Sequence, residues 1–356
     1  MKKIVFIFIT GLLFVVLVAQ AQMIEAIKLS ATKGNEYGLT YSLPNTLLII
    51  DIQATKVTQK AGRFSQYAER YLGTQDVVLA DKEYWTLDKV DVWAKGVADK
   101  EKTYIIKLKS DITPYIYVTE DGFLCSINTE PDYSLIDRAK LTLAPSVHTE
   151  KANANSAITE EFLMASSTGK MAEIAAKQIY RIRESRMNIL TGEADKIPGD
   201  AESLKLIIGQ LDVQEQILTE MFTGSTTKEI SIRSYTYLPE DDVTNHIVCR
   251  FSKLLGPVDK NDLSGSPLFL SLRNTTTLDL PKLNEFNKNK KGIMYTVAGD
   301  VKVKITFSDK TLFENSIKIS QFGAIAVLPS SIFENKKKPA KAIFYPNLGI
   351  VKEIIQ

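Results

Sequence analysis

An α+β fold, built as two mainly antiparallel β domains separated by a long αα-hairpin, follows from three observations on this 356-residue chain. Apolar residues alternate with period two from Ile27 to about Ile127, switch to a helical period between Lys170 and Phe222, and return to period two from Glu229 onward. Alternation marks strands with one buried face, and the 3.6-residue period marks helices with one buried stripe. A run of strands, then helices, then strands is an α+β order rather than the alternating order of a parallel sheet. The limits that follow are a leader at 1–21, an N-terminal β-rich domain at 22–150, a linker and helical hairpin at 151–226, and a C-terminal β-rich domain at 227–356.

The leader has a charged start at Lys2 and Lys3, an apolar run from Ile4 to Val18, and Ala19-Gln20-Ala21 ahead of Gln22. That is the pattern of a signal peptide with a small-x-small cleavage site. The run is 15 residues long, whereas a membrane-crossing helix takes about 20. Cleavage between Ala21 and Gln22 is therefore expected, with no membrane span afterwards and a soluble product in the periplasm or outside the cell. No cysteine follows the run to carry a lipid. The whole chain has 44 basic and 42 acidic side chains, and losing Lys2 and Lys3 brings the two counts level. A neutral product has no global field to draw in nucleic acid. Its length exceeds the ~100 to 200 residues of one compact domain.

In the first β region the strand candidates are Tyr37 to Ser42, Thr46 to Thr58, Tyr84 to Ala98, Thr103 to Leu108, Tyr115 to Val118 and Phe123 to Ile127. The last two flank Asp121-Gly122, a strong hairpin signal. A short helix at Gln66 to Leu72 has Ser65 as its expected cap and Gly73 as its stop. The polar stretch Thr149 to Ser156 reads as a linker.

Two long helices are predicted in the middle. Met171, Ile174, Ala175, Ile179, Ile182 and Ile189 mark one stripe; Leu204, Ile207, Ile208, Leu211, Leu218 and Phe222 mark the other. Thr168 and Asp200 stand at the starts, and Gly192 and Gly224 just past the ends. Their charges are complementary, a net +3 on the first and −3 on the second. Such flanks can be solvated surface, with rim pairs worth about 0 to 1 kcal/mol, or they can form a docking arm for a partner.

Beyond Glu229, strands are expected at Glu229 to Tyr237, His246 to Phe251, Pro267 to Leu272, Gly292 to Val297, Val301 to Phe307, Thr311 to Ile319, Ala324 to Leu328, Ala342 to Tyr345 and Ile350 to Ile355.

Sites of chemistry are harder to find. Cys125 and Cys249 both read as small buried hydrophobes in strands. His246 and Cys249, three apart in a strand, should point to opposite faces, and His148 lies in a loop. There is no Gly-x-Ser-x-Gly, His-Glu-x-x-His or Cys-x-x-Cys. Asp259 to Gly265 and Glu240 to Asp242 read as solvated turns rather than calcium loops, because Leu263 occupies a ligand position of the former. No catalytic residue, cofactor or metal ligand is assigned. The one ligand surface the sequence offers is aromatic: Tyr84, Trp85 and Trp93, with Trp85 and Trp93 of one parity, could stack on a glycan.

Several segments together resemble a known family. They are Gly38-Leu39-Thr40-Tyr41-Ser42-Leu43-Pro44, the run Phe64 to Gly73, Arg183-Glu184-Ser185-Arg186 leading to Leu190-Thr191-Gly192-Glu193, Met221-Phe222-Thr223-Gly224, and Gln321-Phe322-Gly323. The family is an exported one of Bacteroidota, domain of unknown function 4831. The resemblance implies export and an α+β build, and brings no activity and no functional residue. The expectation is a non-enzymatic binding or structural module of the cell envelope, with an envelope protein or glycan as partner. The competing expectation is a carboxylate-dependent hydrolase such as a glycosidase, in which two Asp or Glu residues converge only in the fold.

Overall fold

The computed structural model describes residues 25–28, 38–107, 115–135, 158–195, 199–277, 283, 287, 291–333 and 339–355. The leader, the linker at Thr149 to Ser156 and His148 lie outside them. In chain order the elements are β1 (Glu25–Lys28), β2 (Leu39–Lys60), α1 (Ala68–Leu72), β3 (Lys82–Lys107), β4 (Ile116–Val118), β5 (Leu124–Ile127), α2 (Glu160–Leu163), α3 (Thr168–Thr191) and α4 (Ala201–Thr223). There follow β6 (Ser225–Tyr237), β7 (Val243–Ser252), β8 (Gly256–Val258), β9 (Ser266–Asn274), β10 (Gly292–Phe307), β11 (Lys310–Pro329), β12 (Lys341–Tyr345) and β13 (Ile350–Ile355). The fold is mixed α+β and mainly β.

Four expected strands merge into two. β2 runs for 22 residues and β3 for 26, paired antiparallel along most of their length. Pro44 sits where the register slips between Ser42 and Pro44. Lacking an N–H, a proline is tolerated at such an irregularity, so the strand bends there instead of ending. Along this stretch β2 has β3 on one side only, because β6 begins its pairing at Leu48.

Three antiparallel sheets result: sheet 1 in the order β1-β3-β2-β6, sheet 2 in the order β11-β10-β9-β7-β8, and sheet 3 in the order β13-β12-β5-β4. The pairing crosses the domain limits expected from the sequence. β6 zips onto β2 over thirteen residue pairs, and β12 joins β5. Limits at 150 and 227 therefore cut through sheets 1 and 3 rather than between domains. Alternation shows which residues face a core, but the partner strand is chosen by contacts hundreds of residues apart.

Two cores lie along the long strands. In the first, Leu48, Ile50, Ile52, Val90 and Val92 of sheet 1 face Cys249, Leu268, Leu270, Val301, Val303 and Ile305 of sheet 2, as in a β-sandwich. In the second, Tyr41, Leu43, Tyr104 and Ile106 from the other ends of β2 and β3 meet Ile127, Ile293, Ala342 and Phe344. Tyr41 ties the layers: its hydroxyl donates to the Met294 carbonyl at 3.1 Å and accepts from the Met294 N–H at 2.9 Å.

A third core belongs to the helices. Phe64, Phe162, Ala172, Ala175, Ile179, Leu218 and Phe222 are its buried members. Asp200 caps α4 as expected, accepting from the Ser203 N–H at 2.7 Å. α3 is capped one residue early, by Ser167 rather than Thr168. The expected Ser65 cap is not made. A 3-10 turn at Ser65–Tyr67 precedes α1, and the Ser65 N–H bonds to the Gly62 carbonyl instead. Gly73 and Gly192 end their helices in the left-handed conformation, which glycine adopts without strain.

Candidate functional site

The helical layer joins sheet 1 where α4 runs into β6. Gly224 makes the joint: its φ is 76°, and a Cβ there would stand 2.4 Å from the Lys60 carbonyl oxygen. Two backbone bonds clamp the joint, Val78 N–H to Thr223 O and Phe64 N–H to Met221 O, each 2.7 Å. On either side lies an open cleft. One, of about 430 Å³, is lined by Gln59, the segment Asp76 to Ala80, Lys82 and Thr226. The other, of about 460 Å³, follows α4 past Thr219, Glu215 and Asp212 to Arg183 and Arg186 of α3.

The charges of the second cleft are matched within the chain. Glu215 accepts from Arg183 Nε and Arg186 Nη1 at 2.6 Å each, and Arg186 Nη1 also reaches Asp212 Oδ1 at 2.6 Å. The complementary net charges of the two helices are thus spent at least partly on each other. Arg183 also lies over the Tyr180 ring, 5.7 Å from its centroid.

Beyond these ion pairs the helices change character. No residue of α3 after Ile182 and none of α4 before Leu218 is buried. Large apolar side chains stand in solvent there: Leu206 is 67% exposed, Leu190 64% and Met187 59%. Leu206 and the exposed Val213 are seven residues apart and so share a side of α4. That side is not the stripe of Leu204, Ile208, Leu211 and Leu218. The seven-residue spacing of Leu206 and Val213 is the signal of this side in the sequence.

The aromatic surface expected from the sequence does not assemble. Trp85 and Trp93 lie on opposite faces of sheet 1, because the register slips between Gln53 and Ala54 and leaves Asp88 as an extra residue on β3. One extra residue reverses the parity of everything beyond it. Trp85 packs against the first core and over Gly256, where a Cβ would come within 2.8 Å of its ring. Trp93 is on the outer face, donating from Nε1 to Asp51 Oδ2 at 2.8 Å. Tyr84 is half-buried beside Trp85 in sequence and pairs with Val57 across the strand.

A similar slip corrects the expected separation of His246 and Cys249. With Val248 as the extra residue, His246 falls opposite Leu270 and Cys249 opposite Leu268, so both turn toward one face. They still have different neighbours. The His246 ring lies 4.7 Å from that of Tyr237, whereas Cys249 is beside Tyr235, and burial pushes its thiol up to about 11. Cys125, also buried and outside any disulfide, is pushed up to about 11 for the same reason. Neither is a thiolate at neutral pH.

The carboxylates Asp212 and Glu215 of the second cleft lie on one helix, both held by Arg186 Nη1. Asp51 and Asp91 face each other on β2 and β3, with Asp51 buried. Asp51 is held there by Trp93 and by Ser234 Oγ at 2.6 Å. In the acidic turns, Asp259 accepts from the Asn261 N–H and Asp262 from the Ser264 N–H, and Asp242 accepts from the Asn274 N–H. Among the described residues there is no group of three or more His, Cys, Asp or Glu placed to hold a metal ion. No helix among them is long and apolar enough to cross a membrane.

Three of the segments that carried the family resemblance lie at structural joints. Phe64, Phe222 and Gly224 build the helix-to-sheet junction. Gln321 bridges β11 to β2, its amide accepting from the Thr46 N–H at 2.8 Å and donating to the Thr46 carbonyl at 2.9 Å. Neither a curated protein nor a solved structure matches the chain. Over residues 37–352 it matches the family described as Domain of unknown function (DUF4831), and it belongs to that family.

Proposed function

We propose that this protein is an exported, non-enzymatic binding module of the cell envelope, and that the free ends of α3 and α4 hold a protein partner. The observation that carries this reading is the exposed apolar set at those ends, Met187, Leu190, Leu206 and Val213. A solvated helix pair needs one apolar seam, and α4 has a second. Isolated exposed apolar residues are ordinary, whereas these four fall on the ends of two paired helices where no residue is buried. Export rests on the leader, Lys2 and Lys3 followed by Ile4 to Val18 and Ala19-Gln20-Ala21.

The test compares the tagged protein with a Leu190→Asp/Leu206→Asp variant in capture from cross-linked envelope fractions. The expected result is a protein enriched by the parent, lost with the variant and retained by a control substituted at the exposed Lys310, Lys310→Ala. Equal capture by parent and variant, or none by either, overturns the docking role. N-terminal sequencing of the native protein should begin at Gln22, and an intact Met1 would remove the case for export.

A further inference from the structure

Among the described residues, most sheet edges are short or interrupted. β1, β4 and β8 are three or four residues long and β13 is six, while β11 slips register twice against β10. β6 is different. It is the last strand of sheet 1, 13 residues long, and it pairs with β2 at every position without a register shift. It contains neither proline nor glycine, and Thr226 to Ile230, Arg233, Ser234 and Thr236 are exposed. An edge of this kind turns a regular row of backbone N–H and C=O groups outward, where another strand can pair with them.

Charged side chains on an edge ordinarily keep other strands away. On β6 their order is self-complementary. In the antiparallel register that overlaps the whole strand with a second copy, Ser225 faces Tyr237 and Ser231 lies on the two-fold axis. Glu229 then falls opposite Arg233, and Ile230 opposite Ile232, each pair occurring twice by symmetry. Only alternate residues turn their backbone groups outward, so the register can change only in two-residue steps. One step either way places Glu229 opposite Ser231 or Tyr235, so both opposite-charge pairs are lost and one Ile–Ile pair on the axis replaces two.

Charges within one copy already lead up to this contact. Glu83 is ion-paired to Lys56 at 2.8 Å, and Lys56 faces Glu229 across the strand. Arg233 of a second copy continues the alternation of sign. Its guanidinium donates from Nη1 to the Pro257 carbonyl oxygen of β8 at 2.6 Å. We propose that two copies of this chain pair through β6, about a two-fold axis at Ser231, and join their four-stranded sheets into one continuous sheet. This surface is separate from the free ends of the helices.

Sedimentation of the processed protein across a concentration series should show a reversible dimer. Glu229→Arg alone and Arg233→Glu alone each place like charges opposite one another twice, and each should weaken self-association about ten-fold. Mixing the two variants restores both opposite-charge pairs, so the mixture should dimerise as the parent does. A fold defect in either variant could not be cured by mixing. In the parent background, Ser231→Cys should give a disulfide-linked dimer on mild oxidation. A monomeric parent, dimerisation indifferent to both variants, or no cross-link through Cys at 231 would each overturn the proposal. An edge reserved for another protein's strand would appear as the first of these outcomes.

Discussion

The two ends of the α3–α4 pair have the same periodic pattern and opposite fates. At the sheet end, Ala172, Ile174, Ala175, Ile179, Ile182, Leu218 and Phe222 are buried with Phe64 and Phe162. At the free end, Ile189, Leu204, Ile208 and Leu211 continue the stripes but stay partly exposed. The difference is a third layer. Near the sheet, α1, α2 and the 3-10 turn at Ser65–Tyr67 cover the seam; beyond Ile182 the helices have each other. A helical period therefore identifies the side of a helix that seeks cover, while neighbours determine whether cover is found.

The largest break in that comparison comes from Phe222→Ala. Its ring is fully buried, 5.4 Å from that of Phe64, and removal should cost about 3 to 5 kcal/mol in denaturant unfolding. Leu190→Ser at the free end should change the same measurement by no more than about 0.5 kcal/mol. Equal losses at the two sites would mean that the free end is covered within the monomer.

Gly224→Ala should follow, at about 1 to 3 kcal/mol. The cost comes from a left-handed backbone and a Cβ pressed against the Lys60 carbonyl. Loss of hydrogen-exchange protection should centre on the joint, at Val78 and Phe64, rather than at the free end. Arg186→Ala should cost about 1 kcal/mol or less, since the ion pairs with Asp212 and Glu215 are partly solvated. Its loss should shrink further in high salt.

The smallest effect lies outside the helices, where Asp132 and Lys352 pair at 2.7 Å. Hydrogen bonds from Lys352 and then Ser134 hold the Asp132 carboxyl at about 2, below its ordinary value. A depressed carboxyl stabilises the fold fully above its unfolded value near 4, and that contribution is lost as pH falls through about 2. Carboxyl chemical shifts followed from pH 6 to about pH 1.5 should give this low midpoint. Lys352→Met should raise it toward the ordinary value, and an unchanged midpoint would show that the ion pair is not formed in solution.

Much of the fold was legible in sequence because its signals are local. Asp200, Gly192 and Gly224 bound their helices as the cap chemistry requires, and the Asp121-Gly122 turn joins β4 to β5 with Gly122 at φ 80°. What escaped were single extra residues. Asp88 puts Trp85 and Trp93 on opposite faces, and Val248 brings His246 and Cys249 to the same one. A bulge leaves no mark in alternation until the partner strand is known. The aromatic ligand surface failed for this reason, and the exposure of Leu206 and Val213 is not legible in sequence because period alone does not separate exposed from buried apolar residues.

The sequence by itself determined the order of strands and helices, several of the helix ends, and the family of the chain. Each depends on residues within a few positions of one another, where spacing and side-chain type suffice. Only the tertiary structure decided that β6 joins β2, that β12 joins β5, and that β2 passes through Pro44 to serve two cores. Strand partners are selected by the burial and backbone bonding of segments far apart in the chain. An alternating strand fits many partners until the packed core admits one.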